Sequence, residues 1–231
     1  MTGAPASSHS DALGTRAAVI VFLTFAITYF LSALVRAITA TLSPTLSQEL
    51  DLDAGDLGLL AGGYFLGFAL TQLPLGNWLD RHGPRRVILS FLTVAVLGCM
   101  AFALATSFSG LLAARVLTGM GVSACLMAPL TGFRRWLTPA TQLRANSWML
   151  MTGSLGMVAA TLPVQWLMPY TGWRGLFWLL AGLIAQPVLS YWDWRAIFII
   201  GGLLPIAVAL IIALRLPEPA VGVAGLRSLK P

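Results

Sequence analysis

Long apolar stretches are the feature that most restricts how this chain can fold. Seven stretches, each 18 to 25 residues long, cover most of the sequence. About 20 apolar residues are enough to cross a bilayer as a helix, and none of the stretches alternates as a barrel strand does. They therefore predict an all-α membrane protein. The stretches are residues 17–35, 57–79, 87–105, 109–133, 145–168, 175–192 and 196–214.

The balance of charge excludes most other classes of protein. Charged residues make up 10% of the chain, whereas soluble domains carry roughly a quarter. The basic residues form short clusters between the apolar stretches, without the basic stripe and interleaved aromatics of a nucleic-acid interface. We therefore expect membrane lipid, and no nucleic acid, around this protein. The last two stretches have only 18 and 19 residues, so we expect a bundle of six to seven spans.

Arginines mark one side of the expected bundle. One set of connections holds Arg16, Arg81, Arg85, Arg86, Arg134, Arg135 and Arg144, and the opposite set holds Glu49, Asp51 and Asp53 with almost no basic residue. Basic residues favour the cytoplasmic side of a membrane. The pattern predicts a multi-pass protein of the cell membrane with a cytoplasmic N-terminus.

Local patterns support the second apolar stretch as a tightly packed helix. Asp53 with Asp56 three residues later predicts an N-cap with an acid in the first turn. Two pairs of glycines follow at a spacing of four, which permits close approach of a neighbouring helix. The pairs are Gly58 with Gly62 and Gly63 with Gly67.

Three motifs carry a family resemblance. The end of the second stretch and the connection after it hold Gly76, then Leu79, Asp80 and Arg81, then Gly83, Arg85 and Arg86. The fourth stretch contains Arg115, Gly119 and Gly121, and Gly172-Trp173-Arg174 leads into the sixth stretch, which holds Phe177. In this order and at these places, the motifs resemble those of the major facilitator superfamily of transporters, over roughly residues 17–177. The resemblance implies the N-terminal six-helix half of a transporter that works by alternating access.

Asp80 is the central residue of the first motif. It follows a helix whose C-terminal end already disfavours negative charge, so it needs cationic partners, and Arg81, Arg85 and Arg86 are nearby in sequence. Such a cluster can hold one conformation and release another, and the resemblance favours this gating role. The alternative is a solvated loop that only sets the topology.

Arg36 and Arg115 are the candidates for contact with a substrate. A charge inside a span costs roughly 2.5–3.5 kcal/mol on insertion scales, which makes it a functional candidate. Both arginines are expected in the outer part of the membrane, on helices that line the cavity in the resembled family. They suggest a small anionic organic substrate, because arginine binds carboxylates in a bidentate manner. For Arg36 the alternative is that the side chain extends to the interface. Tyr29 and Gln165 are secondary candidates.

Other kinds of site find little support in the sequence. All eight Asp and Glu residues lie in expected tails or loops, so no intramembrane proton carrier is predicted. His9 and His82 also lie in a tail and a loop, without a catalytic or metal-binding spacing. We therefore expect no enzymatic activity, no catalytic or metal-binding residues and no cofactor.

The C-terminal part departs from the family pattern. Asp193-Trp194-Arg195 and Phe198 repeat the lead-in to the sixth stretch, and a recombined or truncated gene would explain this. We expect a cytoplasmic polar tail over residues 1–16, helices one to five over 17–174, two short helices over 175–215 and a tail over 216–231. Seven spans are favoured over six, in which residues 175–192 would be re-entrant or displaced.

The family normally has twelve spans in two halves. Transport by this chain would therefore need a homodimer or a separate second half. The alternative is a membrane-embedded half-bundle that does not transport, because its cavity is incomplete.

Overall fold

The computed structural model describes residues 14–189, and within this range the chain is helical without any strand. The helices are α1 (Thr15–Leu50), α2 (Ala54–Leu104), α3 (Phe108–Val122), α4 (Ala124–Trp136), α5 (Pro139–Ala159) and α6 (Leu162–Leu189). The all-α prediction is confirmed. The expected seventh stretch, residues 196–214, and the second lead-in at Asp193 lie outside the described residues.

The long helix α2 consists of two apolar arms joined at Gly83. Gly83 has φ 77°, a conformation that glycine adopts without the steric penalty of a side chain. The ring centroids of Trp78 and Phe91 are 5.7 Å apart, whereas 13 residues of straight helix would separate them by roughly 20 Å. The chain therefore reverses at Gly83, and the two arms correspond to the predicted spans 57–79 and 87–105.

Helix α1 is longer than its first apolar stretch predicts. The predicted stretch ended at Val35 because Arg36 is charged, but α1 continues to Leu50. Beyond Arg36 the chain is apolar again, and Ile38, Leu42 and Leu46 are completely buried at helical spacing. Burial of this second apolar stripe explains why the helix continues past the arginine.

The predicted fifth span is broken in the structure. Helix α5 ends at Ala159 and α6 begins at Leu162, and the two helices bend by 47°. Pro163 lies one residue after the break and has no N–H to donate to the carbonyl four residues earlier. The hydroxyl of Thr41 on α1 donates to the carbonyl of Ala160 over 2.7 Å, so α1 bonds to one of the carbonyls at the break.

Glycines bring α3 into backbone contact with α2. A Cβ atom on Gly67 would overlap the carbonyl of Val116, and one on Gly119 would overlap the carbonyl of Tyr64. Gly63 also lies against α3, whereas Gly58 and Gly62 face open space. The sequence therefore predicted a close helix approach correctly for the second glycine pair only.

The start of α2 confirms the predicted N-cap. The N–H of Asp56 donates to the Asp53 carboxylate over 2.8 Å, and the N–H of Asp53 donates to the Asp56 carboxylate over 3.3 Å. This reciprocal arrangement satisfies two backbone donors at the helix start.

Two opposite ends of the bundle can be distinguished by their contacts. At one end the first turns of α1 meet the end of α4, where the rings of Phe25 and Trp136 stack at 6.4 Å. We call this the basic end, because Arg16, the Gly83 turn and Arg135 lie there. At the opposite end Glu49, which lies in the last turn of α1, contacts Trp173 and Arg174 on α6.

Candidate functional site

Arg36 and Arg115 line one cavity. This arginine cavity has a volume of about 370 Å³ and lies between α1, the first arm of α2 and α3. Its lining residues are Arg36, Ala37, Thr39, Ala40, Ser43, Leu57, Gly58, Ala61, Tyr64, Phe65 and Arg115. The structure thus brings together the two arginines that the sequence singled out.

Arg115 is buried, with 1% of its surface exposed. Its Nη1 donates to the carbonyl of Val35 on α1 over 3.1 Å, and its guanidinium lies 4.9 Å from the ring centroid of Tyr64. The same guanidinium lies 5.9 Å from the ring centroid of Phe102. Its Nε has no hydrogen-bond partner in the described part of the chain. Aromatic faces stabilise the charge, but one donor stays unused.

Arg36 is half-buried and lies well inside the helix. It is 14 residues before the end of α1, or about 21 Å at helical rise, a distance too long for the side chain to reach that end of the helix. Because α1 extends to Leu50, Arg36 does not lie at the end of its helix. Its guanidinium contacts the sulfur of Met157, 3.9 Å away.

No carboxylate balances these two charges among residues 14–189. The ion pairs in that range involve Asp80 and Glu49, which lie at the two ends of the bundle. The hydroxyl of Thr39, another lining residue, is buried without a hydrogen-bond partner. The cavity therefore offers positive charge and unused donors, which suits an anionic ligand.

The helix-four motif builds the wall behind Arg115. Gly119 lies one turn after Arg115, and its contact with the backbone of Tyr64 brings the aromatic ring alongside the guanidinium. Gly121 lies equally close to the backbone of Ala95 on the second arm of α2. Both glycines of the motif are required because no side chain fits between these helices.

Neither secondary candidate lines the arginine cavity. Tyr29 is buried and packs against Gly153 of α5, where a Cβ atom would overlap its ring. Gln165 is exposed on α6. Tyr29 therefore makes a packing contact between α1 and α5, and Gln165 does not line the arginine cavity.

Asp80 forms its ion pair with an arginine that is distant in sequence. Among the described residues its ion pair is with Arg135 of α4, with the Nη2 atom 3.6 Å from the carboxylate. The same nitrogen donates to the carbonyl of Leu79 over 3.4 Å. Proximity in sequence suggested Arg81, Arg85 and Arg86, whereas the ion pair seen among the described residues joins Asp80 to Arg135 of another helix.

A second cavity adjoins Asp80. It has a volume of about 350 Å³ and is lined by Gly76, Arg134 and Asn146 together with residues of α2, α4 and α5. A Cβ atom on Gly76 would meet no atom within 4 Å. The glycine of the motif therefore leaves open space beside Asp80 within the described chain.

The sequence did not predict the cluster around Glu49. Trp173 Nε1 and Arg174 Nη1 both donate to the carboxylate of Glu49. Arg174 Nη2 also donates to the carbonyl of Ala105 over 3.3 Å, and its guanidinium lies 4.0 Å from the ring centroid of Trp173. We call these four residues the Glu49 cluster. The sequence signal that could have predicted this cluster was that Glu49 and the Trp173-Arg174 pair lie on the same side of the membrane in the expected topology.

No group of His, Cys, Asp or Glu suited to a metal ion occurs within residues 14–189. Cys99 and Cys125 are buried, free thiols.

The chain is similar to known transporters. The model of the Major Facilitator Superfamily matches residues 25–186. The 4-hydroxybenzoate transporter PcaK of Pseudomonas aeruginosa is 26% identical over 87% of this chain and 40% of its own length. The niacin transporter NiaP of Acinetobacter baylyi is 27% identical over 82% of this chain and 38% of its own length. The gallate transporter of Pseudomonas putida is 25% identical over 68% of this chain and 35% of its own length. The chain thus spans about two fifths or less of each of these relatives.

Proposed function

The chain belongs to the major facilitator superfamily, and we propose that it forms one half of a transporter for a small organic anion. The named relatives are all transporters, which places the chain among multi-pass membrane transport proteins and not among enzymes. Alternating access needs two halves, so we propose that these helices work together with a second half.

The observation that carries the proposal is that Arg36 and Arg115 share one cavity and that the described residues lining it include no carboxylate. Two guanidiniums with no acidic partner among the described residues leave charge available for a ligand. A buried charge without a partner is costly in a membrane, and an anionic substrate would supply that partner.

The walls of the cavity favour an aromatic carboxylate. Tyr64 and Phe65 line it beside the arginines, and aromatic side chains pack well against a flat ring. The unused hydroxyl of Thr39 offers a hydrogen bond to a ring substituent. The relatives are named as transporters of 4-hydroxybenzoate, niacin and gallate, which are aromatic acids, and this supports the proposed class.

Uptake and binding of 4-hydroxybenzoate by the full chain in proteoliposomes test the proposal. We expect Arg115→Ala and Arg36→Gln each to lower uptake and affinity roughly 10- to 100-fold, because each removes charge-assisted hydrogen bonds worth about 1.5–3 kcal/mol. Arg144→Gln is the matched control, since Arg144 is exposed and outside the cavity. The methyl ester, which lacks the negative charge, should not compete.

Binding and uptake together separate the two candidate functions. Binding without uptake, with the chain monomeric, would show that the second half is missing from the vesicles. Absence of both would support the alternative, a half-bundle that does not transport. Uptake and affinity unchanged by both arginine substitutions would refute the arginine site.

The basic end is proposed to face the cytoplasm, with the N-terminus on the same side. Basic residues concentrate at that end, in agreement with the positive-inside tendency. Ala140 and Thr106 are exposed residues at the basic and opposite ends, and the native cysteines are buried. A membrane-impermeant maleimide added to whole cells should therefore label Thr106→Cys and spare Ala140→Cys. The reverse pattern would contradict the orientation.

A further inference from the structure

A groove beside the Gly83 turn lies outside the proposed substrate site. It has a volume of about 540 Å³ and lies between the two arms of α2. Trp78 and His82 line it from the first arm, and Arg86, Phe91 and Val94 line it from the second arm. We call it the α2 groove.

The α2 groove changes character along its length. His82 and Arg86 lie at the turn, at the basic end of the bundle, and both are exposed. Thr71 and Val94 lie deeper on the two arms. From residue 82 to residue 71 the first arm rises about 16 Å, so the groove extends from a basic rim into the apolar part of the bundle.

The side chain of Trp78 lies just inside the rim. It is 41% exposed and its ring meets Phe91 edge to face at 5.7 Å. Tryptophan is enriched where a membrane protein crosses the headgroup level, because its ring is apolar and its N–H is polar. This position sets the rim at the level of lipid headgroups and the deeper walls at the level of acyl chains.

Among the described residues, the charge at the rim has no acidic partner. Within residues 14–189, neither Arg86 nor His82 takes part in an ion pair, and the nearby Asp80 pairs with Arg135. A basic rim above an apolar groove is complementary to one class of molecule, a lipid with a negatively charged head and a hydrocarbon chain.

We propose that the α2 groove binds an anionic phospholipid. The phosphate lies against Arg86 and His82, and one acyl chain follows Trp78 and Phe91 toward Val94. A zwitterionic lipid binds more weakly, since its ammonium group adds positive charge beside the basic rim. This site is separate from the arginine cavity, and its occupancy does not depend on the substrate proposed for that cavity.

Native mass spectrometry of the delipidated full chain with matched phosphatidylglycerol and phosphatidylcholine tests the headgroup contact. The native sequence should retain phosphatidylglycerol about five- to tenfold more strongly, and the double variant Arg86→Ala/His82→Ala should lose that preference. Arg144→Ala removes one exposed arginine of the basic end that does not line the groove, and it should keep the preference. Equal retention by the native chain and the double variant would overturn the proposal.

A pair of tryptophan substitutions tests the acyl-chain contact. Val94→Trp fills the deep part of the groove, whereas Leu97→Trp adds the same side chain at an exposed site of the same arm. We expect only Val94→Trp to reduce bound phosphatidylglycerol. Displacement of the lipid by millimolar inorganic phosphate would show a simple anion site and overturn the acyl-chain contact. A change in oligomeric state with Val94→Trp, without lipid selectivity, would assign the groove to a second copy and also overturn it.

Discussion

The two ends of the bundle each pair one carboxylate with an arginine of a distant helix, but in different ways. At the basic end, Asp80 has 74% of its side chain exposed and lies 3.6 Å from Arg135. At the opposite end, Glu49 is 42% exposed and accepts hydrogen bonds from both Trp173 and Arg174. The first arrangement is a loose, hydrated ion pair, and the second joins α1, α6 and the residue after α2 through several donors.

This difference suggests that the two ends have different roles in a conformational change. An exposed ion pair contributes about 0–1 kcal/mol, so breaking it during a conformational change costs little. A carboxylate with several charge-assisted hydrogen bonds contributes more, so the Glu49 cluster is suited to holding its helices together. We infer that the basic end is the one that changes contacts and the opposite end is the one that stays fixed.

Removal of the Glu49 carboxylate is expected to have the larger effect. Glu49→Ala leaves the donors of Trp173 and Arg174 without their acceptor and should lower the free energy of unfolding by about 1–3 kcal/mol. Thermal unfolding of the purified chain in detergent measures this. Glu49→Gln keeps an acceptor for Trp173 and should lose about half as much. If the melting temperature of Glu49→Ala equals that of the native chain, the Glu49 cluster does not stabilise the packing of these helices.

Removal of the Asp80 charge is expected to have the smaller effect on stability. Asp80→Asn should change the free energy of unfolding by less than about 1 kcal/mol, because the pair with Arg135 is largely hydrated. The same melting assay measures it, with Arg135→Ala as the matched partner deletion. In 1 M salt the Debye length falls to about 3 Å, and the coupling between Asp80 and Arg135 in a double-mutant cycle should vanish. If Asp80→Asn lowers the free energy of unfolding as much as Glu49→Ala does, the two ends do not differ in the way inferred here.

Much of the fold follows from short-range signals in the sequence. Apolar length predicts the first four spans, and the acids at 53 and 56 predict the cap of α2. The break between α5 and α6 was missed, because it depends on the backbone around Pro163 in a stretch whose hydropathy stays high. The extension of α1 was missed for the opposite reason, because a single charge at Arg36 interrupts the apolar pattern but not the helix.

The candidate site was less predictable than the fold, because its contacts join residues far apart in sequence. The chemistry of Arg36 and Arg115 marked both as candidates, since charges inside spans are rare. Their shared cavity depends on how α1 and α3 meet. Similarly, the partner of Asp80 is 55 residues away in sequence at Arg135, and local spacing favoured nearer arginines. The charge of a residue is known from the sequence, whereas its partner in a cavity or an ion pair depends on how the helices pack.

The backbone contacts of Gly67 and Gly119 have a mechanical consequence. Helices α2 and α3 meet backbone to backbone at these two positions, so any side chain there would push the helices apart. A larger residue at either position would therefore also shift Arg115, one turn before Gly119 on α3, relative to Val35 and Tyr64.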